Sequence, residues 1–336
     1  MRQLIWHGNE DVRLQKNPSG PNQPGEGEVL IGIKAVGICG TDIHIMKGAL
    51  PGAYPPMVLG HEIAGQIATV GKNVNRVQVG DRVTVDSVVG CGKCELCKQS
   101  RSQFCPNGYE LGINRDGACQ DYLIVPERNV YRIPDSISFE EAAVLDIEVW
   151  NSVRKCGIQP KDRVLILGAG PIGMIASQLT RILGAGHITL SDSIQDRLRI
   201  ARDLKLADAY ESAPLNDAST DYSSVPYDVI LDCAGTSAST QYALRAVRPC
   251  GRVLLYGVHE EAIDSLDINQ IVLKDLVVYG ALCDRNGWED VVELAASGAL
   301  DLKSLITHRF PIENGAQAYD AVRNRSQGLI KAVLLL

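Results

Sequence analysis

The stretch Asp162–Gly186, DRVLILGAGPIGMIASQLTRILGAG, constrains the fold of this 336-residue chain more than any other. Val164–Leu167 read as a buried strand that stops on a glycine turn. Gly168, Gly170 and Gly173 follow as G-x-G-x-x-G, with Pro171 and Ile172 inside the motif. Beyond it, Ile172, Ile175, Ala176, Leu179, Ile182 and Leu183 recur every three or four residues, the period of an amphipathic helix. The pattern then repeats. HITLSDS is a strand, QDRLRIARDLK a helix, and YDVILDCAG, RVLLYG and LVVYG are further strands. Strands alternating with helices mean an α/β, doubly wound parallel sheet.

In that setting the glycines acquire physical roles. Gly168 permits a tight turn, Gly170 lets the backbone approach a pyrophosphate, and Gly173 lets the helix pack on the strand. The helix N-terminus then holds the anion. Asp192 lies 24 residues after Gly168, at the end of the second strand. A carboxylate there binds a ribose 2′-hydroxyl and repels a 2′-phosphate, so NAD is favoured over NADP. Arg197, one helical turn further, either adds a cofactor contact or faces solvent.

A second constraint is the placement of the thiols. Cys91, Cys94, Cys97 and Cys105 form C-x2-C-x2-C-x7-C within a polar stretch. The N-terminus, MRQLIWHGNEDV, lacks the apolar core and cleavage site of a signal peptide, so the expected compartment is the cytosol. Thiols stay reduced there, which favours metal ligation over disulfides. Four thiolates complete a closed tetrahedral zinc site, a structural rather than a reactive ion. An iron–sulfur cluster uses similar ligands, but nothing else in the chain points to electron transfer.

Upstream, VGICGTDIHIMKG and YPPMVLGHEIAGQIATVG offer Cys39, His61 and Glu62. One sulfur, one imidazole and one carboxylate leave the vacant position that a catalytic zinc needs. Asp42 either accepts the second ring N–H of His61 and fixes its tautomer, or is a turn carboxylate in solvent. Thr41 and His44 place a hydroxyl and an imidazole near the same ion, a pair suited to moving a proton from an alcohol to solvent.

Residues 25–85 read as short strands and turns, so the part before residue 140 is mainly β. FEEAAVLDIEVWNSVRKCG reads as one helix, without internal Pro or Gly. The length calls for two domains. No apolar run approaches the roughly 20 residues of a membrane span. A net charge of −7 without a basic tract argues against nucleic acid or anionic membranes as partners. The remaining cysteines (Cys119, Cys156, Cys233, Cys250 and Cys283) are expected as buried small apolar residues.

Taken together, GHE with Cys39, the four-cysteine spacing and GAGPIG resemble the zinc-dependent medium-chain alcohol dehydrogenases over essentially the whole chain. Glu62 after the histidine and GINRDGACQDYLIVP are similar to the sorbitol and threonine dehydrogenase branch, and RDGAC to aminocyclitol dehydrogenases such as those acting on 2-deoxy-scyllo-inosamine. The resemblance implies a GroES-like catalytic domain, residues 1–146 and 284–336, and an inserted Rossmann NAD-binding domain, residues 147–283, with the active site in the cleft between them. It implies two zinc ions per chain, a homodimer or homotetramer, and oxidation of a secondary alcohol to a ketone with hydride transfer to NAD. It gives Thr41 a hydrogen bond to the substrate oxygen, His44 the end of a proton relay, and Lys331 either the cofactor pyrophosphate or a solvated strand edge. A carboxylate after Ala142–Ala143 joins the catalytic zinc in that branch; Asp146 has the expected spacing and Glu148 is the alternative. Aromatic residues make up only 5% of the chain, which suits a polar pocket. The expected substrate is a polyol, cyclitol or aminocyclitol, with a threonine-like amino alcohol as the alternative. A non-catalytic NAD-binding protein is disfavoured because Cys39 and His61 are both present.

Overall fold

The structure is a computed structural model and describes residues 1–17, 19–212, 227–259, 262–263, 265–282 and 285–336. The chain divides into two units. One comprises Met1–Leu145, Gly287–Gly298 and Leu302–Leu336; the other comprises Asp146–Asn286 and Ala299–Asp301.

In the second unit six strands lie in the order Ala209–Ser212, His187–Asp192, Arg163–Leu167, Tyr227–Asp232, Val247–Leu255 and Val277–Gly280. Every neighbouring pair is parallel. Counted along the unit this is 3-2-1-4-5-6, a doubly wound order with its switch point beside the first strand. Val164, Leu165, Ile166 and Leu167 are all buried, as a central parallel strand requires. The helix Pro171–Ile182 begins on a proline, where the missing N–H costs nothing. Its inner face holds Gly173, Ile175, Ala176 and Leu179. Ile182, at its last residue, is 37% exposed. The polar edge strand Ala209–Ser212 carries no periodic apolar signal, and the sequence does not announce it.

The first unit is mainly β. Its main sheet runs Val130–Arg132, Arg82–Val85, Glu62–Val70, Glu28–Ile38, Lys331–Leu335 and Ile306–Pro311, with Tyr122–Pro126 also pairing on Glu28–Ile38. The C-terminal strand therefore completes a sheet built from N-terminal strands, Ala332 lying opposite Ile38 and Leu335 opposite Ala35. Val29, Ile31 and Ile33 alternate along their strand and pack with Ile63, Ile67, Val83 and Val85 in one core.

Two expectations need correction. The segment after Ser138 is two helices, Phe139–Ala143 and Ile147–Lys155, rather than one. Asp146 breaks it: with extended backbone, its Oδ1 accepts the N–H groups of Glu148 at 2.9 Å and Val149 at 3.1 Å, starting a new helix. Among the scattered cysteines, Cys119 and Cys156 are buried and Cys233 is partly so, but Cys250 is exposed. It sits at φ 57° between Pro249 and Gly251, at an irregular, exposed point of the strand Val247–Leu255, where the register against Tyr227–Asp232 shifts. Cys283 lies outside the described residues. No helix of the described residues is long and apolar enough to cross a membrane.

Candidate active site

Cys39 is the N-cap of the helix Gly40–Met46, and this placement gathers the first cluster. Asp42, at the third helical position, accepts the Cys39 N–H through Oδ2 at 2.9 Å. The carboxylate is fully buried, and its Oδ1 stands 3.4 Å from His61 Nδ1. One buried anion thus fixes the backbone of one donor and sets its charge 3.4 Å from Nδ1 of another, leaving His61 Nε2 for a metal. Thr41 and His44 are three residues apart on the same helix, hence on one face. Thr41 Oγ1 is 3.6 Å from Cys39 Sγ.

Donor atoms of Cys39, His61 and Glu62 all lie within 4.8 Å of one another. Glu62 Oε1 accepts from Lys331 Nζ at 2.6 Å, whereas Oε2 is buried and has no hydrogen-bond partner among the described residues. A bare buried carboxylate oxygen is costly, and a cation between the three donors removes that cost. Burial opposes charging of His61, but Asp42 and then Cys39 outweigh it and hold the imidazole pKa well above its usual 6.5. The chemistry of the donor set fits a zinc ion.

Behind the cluster, Tyr319 is buried with its hydroxyl 3.3 Å from Cys119 Sγ. Burial, and then the nearby Cys119 and Asp42, raise its pKa well above 10.

The four-cysteine lobe fits a second ion. Thiolates about 2.3 Å from a tetrahedral zinc stand about 3.8 Å from one another. Cys94 Sγ and Cys105 Sγ are 3.7 Å apart, and all four sulfurs lie within 4.8 Å. The backbone N–H groups of Lys93 and Cys94 pull the Cys91 thiol down to about 6. Burial pushes that of Cys97 up to about 12. Neither the helix Glu95–Lys98 nor the turn Ser102–Phe104 has a buried residue, so the lobe has little else to hold it.

In the second unit, Gly168 takes φ +101°, and a Cβ on Gly173 would overlap the Gly168 carbonyl oxygen. The turn therefore closes only with glycine at both positions. Gly170, the N-cap, meets only Arg197 at ordinary contact distance and leaves its backbone approachable. Asp192 supports the turn directly. Its Oδ2 accepts from Ala169 N and its Oδ1 from Ile194 N, each at 2.7 Å. Arg197 Nη1 lies 3.8 Å from Asp192 Oδ2.

The structure thus brings Cys39, Thr41, Asp42, His61 and Glu62 together, and it sets Gly168, Gly170, Pro171, Ile172, Gly173, Asp192 and Arg197 around one turn. Asp146 and Glu148 belong to the second unit, where Asp146 caps a helix and Glu148 pairs with Arg285 at 2.6 Å. Lys331, which the resemblance assigns to the pyrophosphate or to solvent, is buried against Glu62.

Residues 25–135 match the alcohol dehydrogenase GroES-like domain family, and residues 171–297 match the zinc-binding dehydrogenase family. The L-threonine 3-dehydrogenase of Yersinia pestis (strain Pestoides F) is 33% identical over 320 residues, 91% of this chain and 92% of that protein. The chain belongs to the zinc-dependent medium-chain alcohol dehydrogenases.

A dehydrogenase from Sinorhizobium meliloti 1021, assigned as zinc-binding and solved with NADP, is 27% identical. Its TM-score is 0.90, over 100% of this chain and 99% of that one. Escherichia coli galactitol-1-phosphate dehydrogenase is 25% identical with a TM-score of 0.89 over the full length of both chains. This dehydrogenase is accordingly an NAD(P)-dependent, zinc-dependent enzyme acting on a small alcohol, with a GroES-like unit and a Rossmann-like unit. Sequence reasoning missed the Glu62–Lys331 pair and Tyr319. Both join positions some 200 residues or more apart, and no local pattern marks them.

Proposed function

We propose that the enzyme oxidises a secondary alcohol of a polyol, cyclitol or aminocyclitol to a ketone, passing the hydride to NAD. The observation that carries this reading is the three-donor cluster with a bare, buried Glu62 oxygen, beside Thr41 and His44 on one helix face. Zinc, when bound, supplies Lewis acidity that lowers the pKa of an alcohol, and the nicotinamide accepts the hydride. Cys39, His61 and Glu62 would hold the metal, with the Asp42 carboxylate facing Nδ1 of His61. Thr41 Oγ1 accepts the hydroxyl proton of the alcohol as it gives up its own, and His44, on the same helix face, releases a proton to solvent. The substrate loses one hydride and one proton. Asp192, at the end of its strand, receives the ribose hydroxyls; its negative charge disfavours a 2′-phosphate.

An adjacent hydroxyl or amine on the substrate is supported by the likeness to a threonine and a galactitol-1-phosphate dehydrogenase. The 33% identity to the former favours a second reading, an amino alcohol such as threonine. Exposed Ile268, Val272, Leu273 and Val277, near the edge strand Val277–Gly280, support a homo-oligomer. A panel of polyols, cyclitols, aminocyclitols and threonine, read as NADH absorbance, separates the readings. Turnover confined to threonine rejects the first. Cys39→Ala or His61→Ala is expected to abolish turnover while NAD still binds.

A further inference from the structure

Gly37 has no reactive group, yet a side chain there would run into the candidate metal site. It lies on the strand Glu28–Ile38, directly opposite Glu62 on one neighbouring strand and Val333 on the other. Lys331 comes from that second neighbour. The Glu62–Lys331 pair therefore joins the strands on either side of Gly37 and crosses over it. Strands two places apart are separated by about 10 Å, so both side chains must lie down across the middle strand to meet at 2.6 Å.

A Cβ built on Gly37 would overlap Glu62 Oε2, the bare oxygen, and would stand 3.0 Å from both Glu62 Cβ and Cδ. The backbone at 37 does not take a positive φ, so strain does not require glycine here. The space does.

We infer that Gly37 is a positioning residue for the metal site, its missing side chain forming the cradle that aims Glu62 Oε2 at the ion while Oε1 stays on Lys331. The inference rests on the reading of Glu62 as a metal donor. It predicts that any side chain at 37 expels the carboxylate: the clashing atom is the far end of a flexible side chain, so the chain folds and the donor moves instead.

The test uses zinc-loaded Gly37→Ala, Glu62→Ala and the double variant, with zinc per chain measured after dialysis against graded chelator. Displacing a group that orients a metal donor costs about tenfold to a hundredfold in affinity. Gly37→Ala is expected to lose the ion of the Cys39 cluster at chelator concentrations at least about tenfold lower, while retaining the ion of the four-cysteine lobe. In the Glu62→Ala background it is expected to cost nothing more. If Glu62→Ala retains zinc like the parent, the reading of Glu62 as a donor fails. If Glu62→Ala weakens retention and Gly37→Ala does not, the role of Gly37 fails. That role fails equally if Gly37→Ala costs as much with Glu62 absent as with it present. Should Gly37→Ala alone not fold, recovery of folding in the double variant supports the overlap, and continued misfolding overturns it.

Discussion

Replacing Asp42 by asparagine probes how the fold sets the metal donors, because it changes charge and tautomer while keeping shape. Asp42 is 0% exposed, with Oδ2 at 2.9 Å from Cys39 N and Oδ1 at 3.4 Å from His61 Nδ1. An asparagine keeps its carbonyl on the Cys39 N–H and turns its amide NH2 toward His61. Nδ1 must then accept, which puts the ring proton on Nε2, the nitrogen left for zinc. Binding requires undoing that tautomer and forgoes the field of a buried carboxylate. Losses of this kind run to about tenfold to a hundredfold in metal affinity, or about 1.4–2.7 kcal/mol. The assay is chelator competition on two-zinc protein, with the four-cysteine ion as internal control and the melting temperature of metal-depleted protein as a check on folding. The weaker ion is expected to shift and the tighter one to stay. Parental affinity for both ions in Asp42→Asn would refute the argument.

Cys94→Ser opens the closed lobe; metal analysis should find one zinc fewer. Tm should fall by about 5 °C or more, since each kcal/mol lost moves a domain of this size by about 2–4 °C. Asp192→Ser removes a charged acceptor from the turn and from the ribose site, and is expected to raise the NAD Kd about tenfold to a hundredfold while narrowing discrimination against NADP, read by titration with both dinucleotides. Asp228 accepts from Arg163 N at 2.7 Å and Arg248 Nε at 2.6 Å. Burial raises its pKa, but those two donors prevail and hold it below 3.8. Its stabilisation is therefore complete above the unfolded value of 3.8 and is lost as pH falls through the lower folded value. Melting curves between pH 7 and about pH 3 should drop only at the acid end, and less so in Asp228→Asn; an equal acid-end drop in the variant rules this out.

Much of this was legible because the chemistry is written in short-range spacing. The glycine turn sits between a uniformly apolar strand and a periodic helix, and four cysteines within one lobe leave few alternatives to a metal. The helix break at Asp146 was not legible, because no Pro or Gly marks it and the signal is a side chain accepting two N–H groups. Cys250 was misread because its exposure depends on an irregularity within the strand Val247–Leu255, with φ 57° at Cys250, that no pattern announces. The Glu62–Lys331 pair and the cradle at Gly37 depend on sheet register, Lys331 being 269 positions from its partner. Register emerges only when the C-terminal strand docks beside Glu28–Ile38.

The most direct measurement compares initial rates of NADH formation from the best alcohol of the panel, before chelation, after removal of the ion bound by Cys39, His61 and Glu62, and after zinc is restored. The account predicts loss of turnover with that ion, its return with zinc, and NAD binding unchanged throughout. Undiminished turnover in the depleted enzyme would contradict it.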